Sequence, residues 1–294
     1  MHALSDSPLA AAVDAALDGL LSALTLTPTG EDRFHAAAGT GHMFDHIYGG
    51  QLLAQALVAA GATVTTGDVS SLHALFVSAG DPGHDLELAV ERVRDGRSLT
   101  TRRVTIRQQQ RTVLEALVSF HATIDGPERA RPMPASTAPH DVPLVQDWAV
   151  AEHNRGWIER PPAVEMRIAE PVTFMGGGAG GGPRSHWMRV PRDVGDDPVL
   201  HAALLAYASD FFLLDMIFRA HPHTEAGRRL NGFSLDHAIW FHRRPRFDVW
   251  HLHTQDAVAL VGDRGLAEGV LHDLEGRHVA TAAQEVVVRP MEVS

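Results

Sequence analysis

The feature that most constrains this fold is a single pattern written twice: an apolar helix, then strand-like segments separated by tight-turn residues. In the first copy, GGQLLAQALVAAG at residues 49–61 places Gly50, Leu53, Ala54, Leu57 and Gly61 on one helical stripe. Its small members predict close approach to a sheet. Strands are expected where Leu86, Leu88 and Val90 alternate, where Val104 and Ile106 alternate after an Asp95-Gly96 turn, and where Val113, Glu115 and Leu117 follow. In the second copy, Asp197 and then Pro198 mark a helix start, and the apolar helix is expected to run to about Phe218. Strands then recur in SLDHAIWFH, WHLHTQDAVAL, LAEGVLHD and HVATAAQEVVVR, broken at Gly262-Asp263 and Glu275-Gly276. Ser71-Leu72-His73 aligns with Ser234-Leu235-Asp236 at an offset of 163, and Arg111 with Arg277 at an offset of 166. Two helices, each wrapped by an antiparallel sheet, predict an α+β chain whose two sheets join and share an interface. Ligands favour such interfaces.

Before the first copy, residues 7–24 carry Leu9, Val13, Leu17, Leu20 and Leu24 at amphipathic spacing, with Pro8 in the first turn. Between the copies, residues 126–147 are rich in proline, alanine and charge, as a linker would be. The expected organisation is a first repeat at 1–125, a linker at 126–154 and a second repeat at 155–294.

The chain has 294 residues, 25 basic and 36 acidic, a formal charge of -11. That balance argues against a broad nucleic-acid surface or an anionic-membrane surface. There is no cysteine, which excludes disulfides, zinc thiolates and a cysteine nucleophile. The amino-terminal stretch has Asp6, Asp14 and Asp18 and no basic region, so it does not read as a signal peptide. No uninterrupted apolar stretch is long enough to span a bilayer, and the final MEVS is no peroxisomal address. A cytoplasmic location is expected. Among 19 histidines, His251 with His253 and His221 with His223 are spaced for a shared strand face, but no third ligand is evident and no metal is expected. The glycine run at 176–182 lacks the Lys-Ser or Lys-Thr of a phosphate loop and reads as a loop. Gly232-Phe233-Ser234-Leu235-Asp236 lacks the closing glycine of a nucleophile elbow.

Three polar residues stand out in the second copy. Asp210 interrupts LLAYASDFFLLDMIF, a helix apolar nearly all round, where a carboxyl must find partners or take up a proton. Such surroundings suit a general base. Gln284 shares a strand face with Ala282 and Val286, a polar group aimed at an apolar wall. Ser234 opens a strand. Asp236 and His237, being adjacent, point to opposite faces. The first copy has Val118 where Gln284 stands, His73 where Asp236 stands, and amides (Gln51, Gln55) rather than a carboxylate on its helix. One active centre per chain is expected, built mainly from the second copy.

The strings YGGQLLAQAL, SLHALFVSAGDP, VERVRDGRSLTTRRV, LAYASDFFLL, SLDHAIWFHRR, DRGLAEG and ATAAQEVVVR, in this order from about residue 40 onward, resemble the acyl-CoA thioesterase II family. The resemblance implies a double hotdog fold and hydrolysis of acyl-CoA to a carboxylic acid and coenzyme A. In that family an Asp, a Thr or Ser and a Gln hold the attacking water, and those roles fall on Asp210, Ser234 and Gln284. No cofactor is implied. Gly49 and Gly50 are candidate sources of oxyanion N–H groups. Arg97 and Arg102, in RVRDGRSLTTRR, are candidates for the phosphates of coenzyme A. A homo-oligomer is expected from exposed sheet edges and from the resemblance. The rival readings are a hotdog enoyl-CoA hydratase or dehydratase, and a non-catalytic acyl-CoA binding module. The first needs a His beside the Asp, yet five residues beyond Asp210 stands Asp215.

Overall fold

A computed structural model describes residues 7–39, 45–122, 126–225 and 230–291. Residues 1–6, part of the stretch read above for a signal peptide, lie outside them, as do the boundary at 125 and most of MEVS. Helix α1 (Pro8–Leu24) starts where Ser7 Oγ accepts the Ala10 N–H, and it buries Val13, Leu17, Leu20 and Leu24, all members of its periodic stripe. Strands β1 (Thr27–Gly30) and β2 (Arg33–Ala36) lead to helix α2 (Gly49–Gly61). Strands β3 (Asp68–Phe76), β4 (Leu86–Asp95), β5 (Leu99–Gln108) and β6 (Arg111–His121) complete the first half. The second half runs α3 (Gly156–Glu159), β7 (Glu165–Ile168), β8 (Arg184–Arg189), α4 (Pro198–Ser209), α5 (Leu213–Ala220), α6 (Pro222–Glu225), β9 (Leu230–Ser234), β10 (Asp236–Phe241), β11 (His251–Val261), β12 (Arg264–Asp273) and β13 (His278–Pro290).

The strand order is β1-β2-β4-β5-β6-β3-β10-β13-β12-β11-β8-β7, with β9 paired to β13. Counted outward from the central β3–β10 pair, the two halves follow matching orders, so the sheet is a double hotdog with a pseudo-twofold axis at that pair. There, antiparallel register sets Leu72 opposite Ile239 and Leu75 opposite Asp236. The segment after residue 126 lies on the second half: Trp187 Nε1 donates to Thr137 O at 2.8 Å, and Arg243 and Arg131 pair with Glu128 and Glu268 in opposite directions across it.

The register corrects the internal alignment. Val118 pairs with Leu72, whereas Gln284 lies beside His237. If Val118 matches Gln284, then Leu72 matches His237 and not Leu235. The offset at Leu72 is therefore 165 (237 minus 72), two more than the 163 read from the sequence. A two-residue slip keeps every side chain on its own face, so periodicity cannot detect it.

The glycine stripe of α2 meets a helix and not a sheet. A Cβ on Gly50 would lie 2.2 Å from Tyr207 O of α4, and one on Gly61 would lie 2.7 Å from Val199 Cγ1. The two helices therefore run antiparallel in close contact, with α2 beginning where α4 ends. The apolar segment after Pro198 is also not one helix. Helix α4 stops at Ser209, Phe212 takes a left-handed conformation (φ 69°, ψ 0°), and α5 restarts at Leu213. No glycine or proline marks the break. An aromatic residue in that conformation costs about 1–3 kcal/mol, offset by packing: the Phe212 ring stacks on Trp157 at 5.7 Å and meets His186 edge-on at 5.1 Å. Taken together, Pro198–Ala220 is long and apolar enough to cross a membrane by length and composition, though Asp210 and Asp215 interrupt it, and 89% of its most apolar window is buried inside the protein.

At the far end of α2, Arg102 turns inward from β5 and is 1% exposed. It donates to Thr63 Oγ1 at 2.8 Å, Thr63 O at 3.1 Å and Arg94 O at 3.0 Å, and pairs with Asp95. Its charge lies beyond the carbonyl end of α2, where a cation is favoured.

Gly50→Ala should cost about 1–3 kcal/mol, because backbone would have to move. Gly61→Ala should cost less, because only the Val199 side chain stands in the way. Urea denaturation of the two variants checks the order.

Candidate active site

The junction of α2 and α4 holds the carboxylate. Asp210 follows the last residue of α4 and is its C-cap. Its Oδ2 accepts the Gly50 N–H at 2.8 Å, in the first turn of α2. Partial positive charge at that helix end favours an anion. Gly49 leaves the space: a Cβ there would lie 2.8 Å from Asp210 Oδ2 and 3.0 Å from Phe76 Cζ.

The other two side chains arrive on strands. Val286 of β13 pairs with Ser234 at the end of β9, so Ser234 stands diagonal to Gln284 on β13. Gln284 Nε2 donates to Ser234 Oγ at 2.6 Å. Gln284 and the Tyr48 phenol both stabilise the Asp210 charge. Thus Gln284 meets Asp210 directly and links it to Ser234, although the three are separated by up to 74 positions in sequence.

Burial raises the Asp210 pKa above its ordinary value, against the opposing pull of nearby His237, the Gly50 N–H, Gln284 and Tyr48. Burial also lowers the pKa of His237, so its imidazole is neutral near pH 7, with Asp210 pulling the other way. Burial, then the Asp210 charge, raises the Tyr48 phenol well above its usual range, so it stays protonated. A buried carboxylate with a raised pKa, flanked by an amide and a hydroxyl, can take a proton from a small nucleophile such as water.

Several sequence expectations need correction. Gly50 N–H is committed to Asp210, so it holds the base and is not an oxyanion donor. Gly49 acts through its missing side chain. Arg102 is buried and saturated at the opposite end of α2, about 20 Å from Asp210 by helix length, and presents no surface to a phosphate. Arg97, by contrast, is exposed in the turn between β4 and β5, as contact with a phosphate requires. Asp215 is locked to Arg184 at 2.7 Å and accepts the Thr173 N–H, a structural role. The glycine run at 176–182 is pinned by Arg219, which donates to Gly181 O and Gly182 O. Among the described residues, no group of three or more His, Asp or Glu side chains is placed to hold a metal ion.

Sequence reasoning also missed three neighbours of the centre: Tyr48, Ser209 and His237. His237 Nδ1 lies 2.6 Å from Gln284 Oε1, and its Nε2 lies 3.0 Å from Ser209 Oγ. A serine–histidine contact therefore exists, where none was evident in the sequence. Ser209 is 0% exposed, however, and its hydroxyl also reaches Ala206 O at 2.9 Å, so it is no accessible nucleophile. One signal was available: an inward strand position, taken by Ala74 and Ile239 nearby, is occupied by a histidine.

Comparison with known proteins now adds to this geometry. A family model described as acyl-CoA thioesterase matches residues 153–287, and one described as acyl-CoA thioesterase N-terminal domain matches residues 38–121. Acyl-coenzyme A thioesterase 8 of Mus musculus is 30% identical over 284 residues, covering 91% of this chain and 88% of that protein. The solved structure of a tesB protein of Mycobacterium avium subsp. paratuberculosis is 29% identical with a TM-score of 0.77, covering 94% of this chain and 100% of the other. An acyl-CoA thioesterase II, TesB2, of Mycobacterium marinum is 30% identical with a TM-score of 0.75, covering 94% and 98%. With relatives of this identity along nearly its whole length and both halves matched in order, the chain belongs to the acyl-CoA thioesterase II family.

Proposed function

We propose that this protein hydrolyses acyl-CoA thioesters to a carboxylic acid and coenzyme A, with Asp210 as general base and Gln284 and Ser234 orienting the water. One observation carries the assignment of roles: the 2.6 Å Gln284–Ser234 hydrogen bond lies beside a buried carboxylate anchored by the Gly50 N–H. In the reaction, Asp210 takes a proton from water while the water oxygen bonds to the thioester carbonyl carbon. The resulting oxyanion collapses, the C–S bond breaks, and the coenzyme A thiolate regains the proton from Asp210. Holding the water on three groups lowers the entropic part of the barrier without a covalent intermediate. Direct attack by Asp210 would instead form an anhydride; single-turnover hydrolysis in labelled water, with label sought in Asp210, tells the two apart.

Hydration of an enoyl-CoA would need a free imidazole beside the carboxylate. Both ring nitrogens of His237 are occupied by Gln284 and Ser209. Assay of enoyl-CoA hydration beside thiol release tests that rival. A module that only binds acyl-CoA would release no thiol. A cytoplasmic location and a homo-oligomer belong to the same reading. Exposed Leu75, Leu117 and Trp240 on the outer face of the central strands support assembly of copies, and sedimentation velocity tests it.

Asp210→Asn should lower kcat by about 100- to 10,000-fold, the usual worth of a general base, in a thiol-release assay over a chain-length series. The pH profile has a definite sign. The base must be ionised, so kcat/KM should fall as pH drops through the Asp210 pKa, with the acid limb centred above 3.8. Stability runs the other way: a raised folded pKa contributes stability present at low pH and lost as pH rises through it. Asp210→Asn should therefore leave Tm unchanged or higher. Arg102→Met should lower stability by about 1–3 kcal/mol, through unpaired buried carbonyls, while leaving KM for acyl-CoA unaltered.

A further inference from the structure

The side-chain amide of Gln284 has two faces, and only one of them can serve the proposed water. Its Nε2 offers two donors and its Oε1 only accepts. Two neighbours fit either orientation. Ser234 Oγ, at 2.6 Å, can accept or donate, and His237 Nδ1, at 2.6 Å, does either according to tautomer. Asp210 breaks the tie. A carboxylate beside the amide only accepts, so the NH₂ must face Asp210 and Ser234, and Oε1 must face His237. The ring must then carry its proton on Nδ1, with Nε2 left as an acceptor, so the Ser209 hydroxyl turns its single proton to Nε2 at 3.0 Å and not to Ala206 O at 2.9 Å.

We propose that His237 is a positioning residue: by donating from Nδ1 to Gln284 Oε1, it locks the amide with its NH₂ toward Asp210, Ser234 and the attacking water. His237 touches neither the water nor the substrate; it is 0% exposed. Ser209 ties the device to the base. It is the last residue of α4, adjacent to Asp210, so one helix end fixes both the carboxylate and the ring. The chain of polar contacts runs Ser209–His237–Gln284–Ser234 across α4, β10, β13 and β9. Gln284 freed from His237 can turn its carbonyl toward Asp210, where like partial charges repel and the water loses its donor. This inference rests on the hydrolytic reading above.

The test is a double-mutant cycle in the full chain. His237→Leu should lower kcat for acyl-CoA hydrolysis by about 10- to 100-fold, the scale of a small misplacement, with KM within about twofold. His237→Asn keeps a donor near the Nδ1 position and should recover most of that loss. Gln284→Ala should lower kcat alone, and adding His237→Leu to it should change kcat by less than about threefold, because both act through one amide. Losses that multiply overturn the proposal, as does an Asn variant that folds yet is as slow as the Leu variant. Nitrogen-15 spectra of the unmutated protein give an independent reading that needs no folded Leu variant. The His237 resonance, identified by its loss in His237→Asn, should show the proton on Nδ1; a proton on Nε2 alone overturns the proposal. Full activity in Asp210→Asn would sink the hydrolytic reading itself. An inactive Asp210→Asn with multiplying His237 and Gln284 losses sinks only the role of His237.

Discussion

The end-to-end meeting of α4 and α2 is the contact on which the rest depends. Asp210 stands at the C-terminus of α4, where partial negative charge opposes a carboxylate. What makes the position tolerable is the N-terminus of α2 directly against it, with Gly50 donating at 2.8 Å. The two helix ends compensate each other, and the carboxylate lies at their junction. Burial alone would drive the group to its neutral form. The helix end, the amide and the phenol pull it back, leaving a base that is buried yet still ionisable. Close approach requires the absent side chains of Gly49 and Gly50, and it requires β3 and β10 to zip the two halves into one sheet. Loss of the strand pairing would separate the two helices that make the site.

The pseudo-twofold axis implies a second such junction, where α2 ends and α4 begins. The chain has closed it. Arg102 occupies that end, bonded to Thr63, and Asp197 is spent capping α4 by accepting the Val199 N–H at 2.9 Å. The strand position that supplies Gln284 in one half supplies apolar side chains in the other, with Val118 and Ala116 both buried. A cation beneath a helix carboxyl end and an anion beneath a helix amino end are the same electrostatic solution with opposite sign. One solution leaves a protonatable group beside space for a nucleophile; the other leaves a permanently charged guanidinium with its donors consumed. The asymmetry in chemistry follows from which charge each end received.

The fold and the polar centre were partly legible before any coordinates. Asp210 and Gln284 were conspicuous because each breaks an apolar pattern, and Asp197-Pro198 announced α4 because capping is local chemistry. What escaped was whatever depends on a partner distant in sequence. The stripe from Gly50 to Gly61 signalled close approach but not whether a sheet or a helix would approach. Arg102 read as one cation among several because alternation on β5 gives its face, not the carbonyls waiting behind that face. The break at Phe212 has no local cause; it follows from stacking on Trp157, more than fifty residues earlier. The two-residue error in the internal alignment had the same origin, since strand patterns fix phase and leave register to the fold.

The histidines show how far neighbours decide function. Several are buried, and burial keeps them neutral: His186 is held well below its usual pKa and His253 is pushed down to about 3. Those two lie side by side across β8 and β11, ring centroids 5.1 Å apart, packed by Phe212 and by the backbone of Gly269. The charge that acts on His186 is that of Arg184, a fixed cation that a proton relay cannot serve, and two neutral rings do not make a metal site. His237 shares their burial and their neutrality. It differs because one ring nitrogen meets an amide and the other a hydroxyl, with a carboxylate within electrostatic reach. In a neutral imidazole one nitrogen donates and the other accepts, so a ring held between those partners has a direction. Direction is what an amide lacks by itself, and an amide that must present its NH₂ to a base and a water needs a neighbour to supply it.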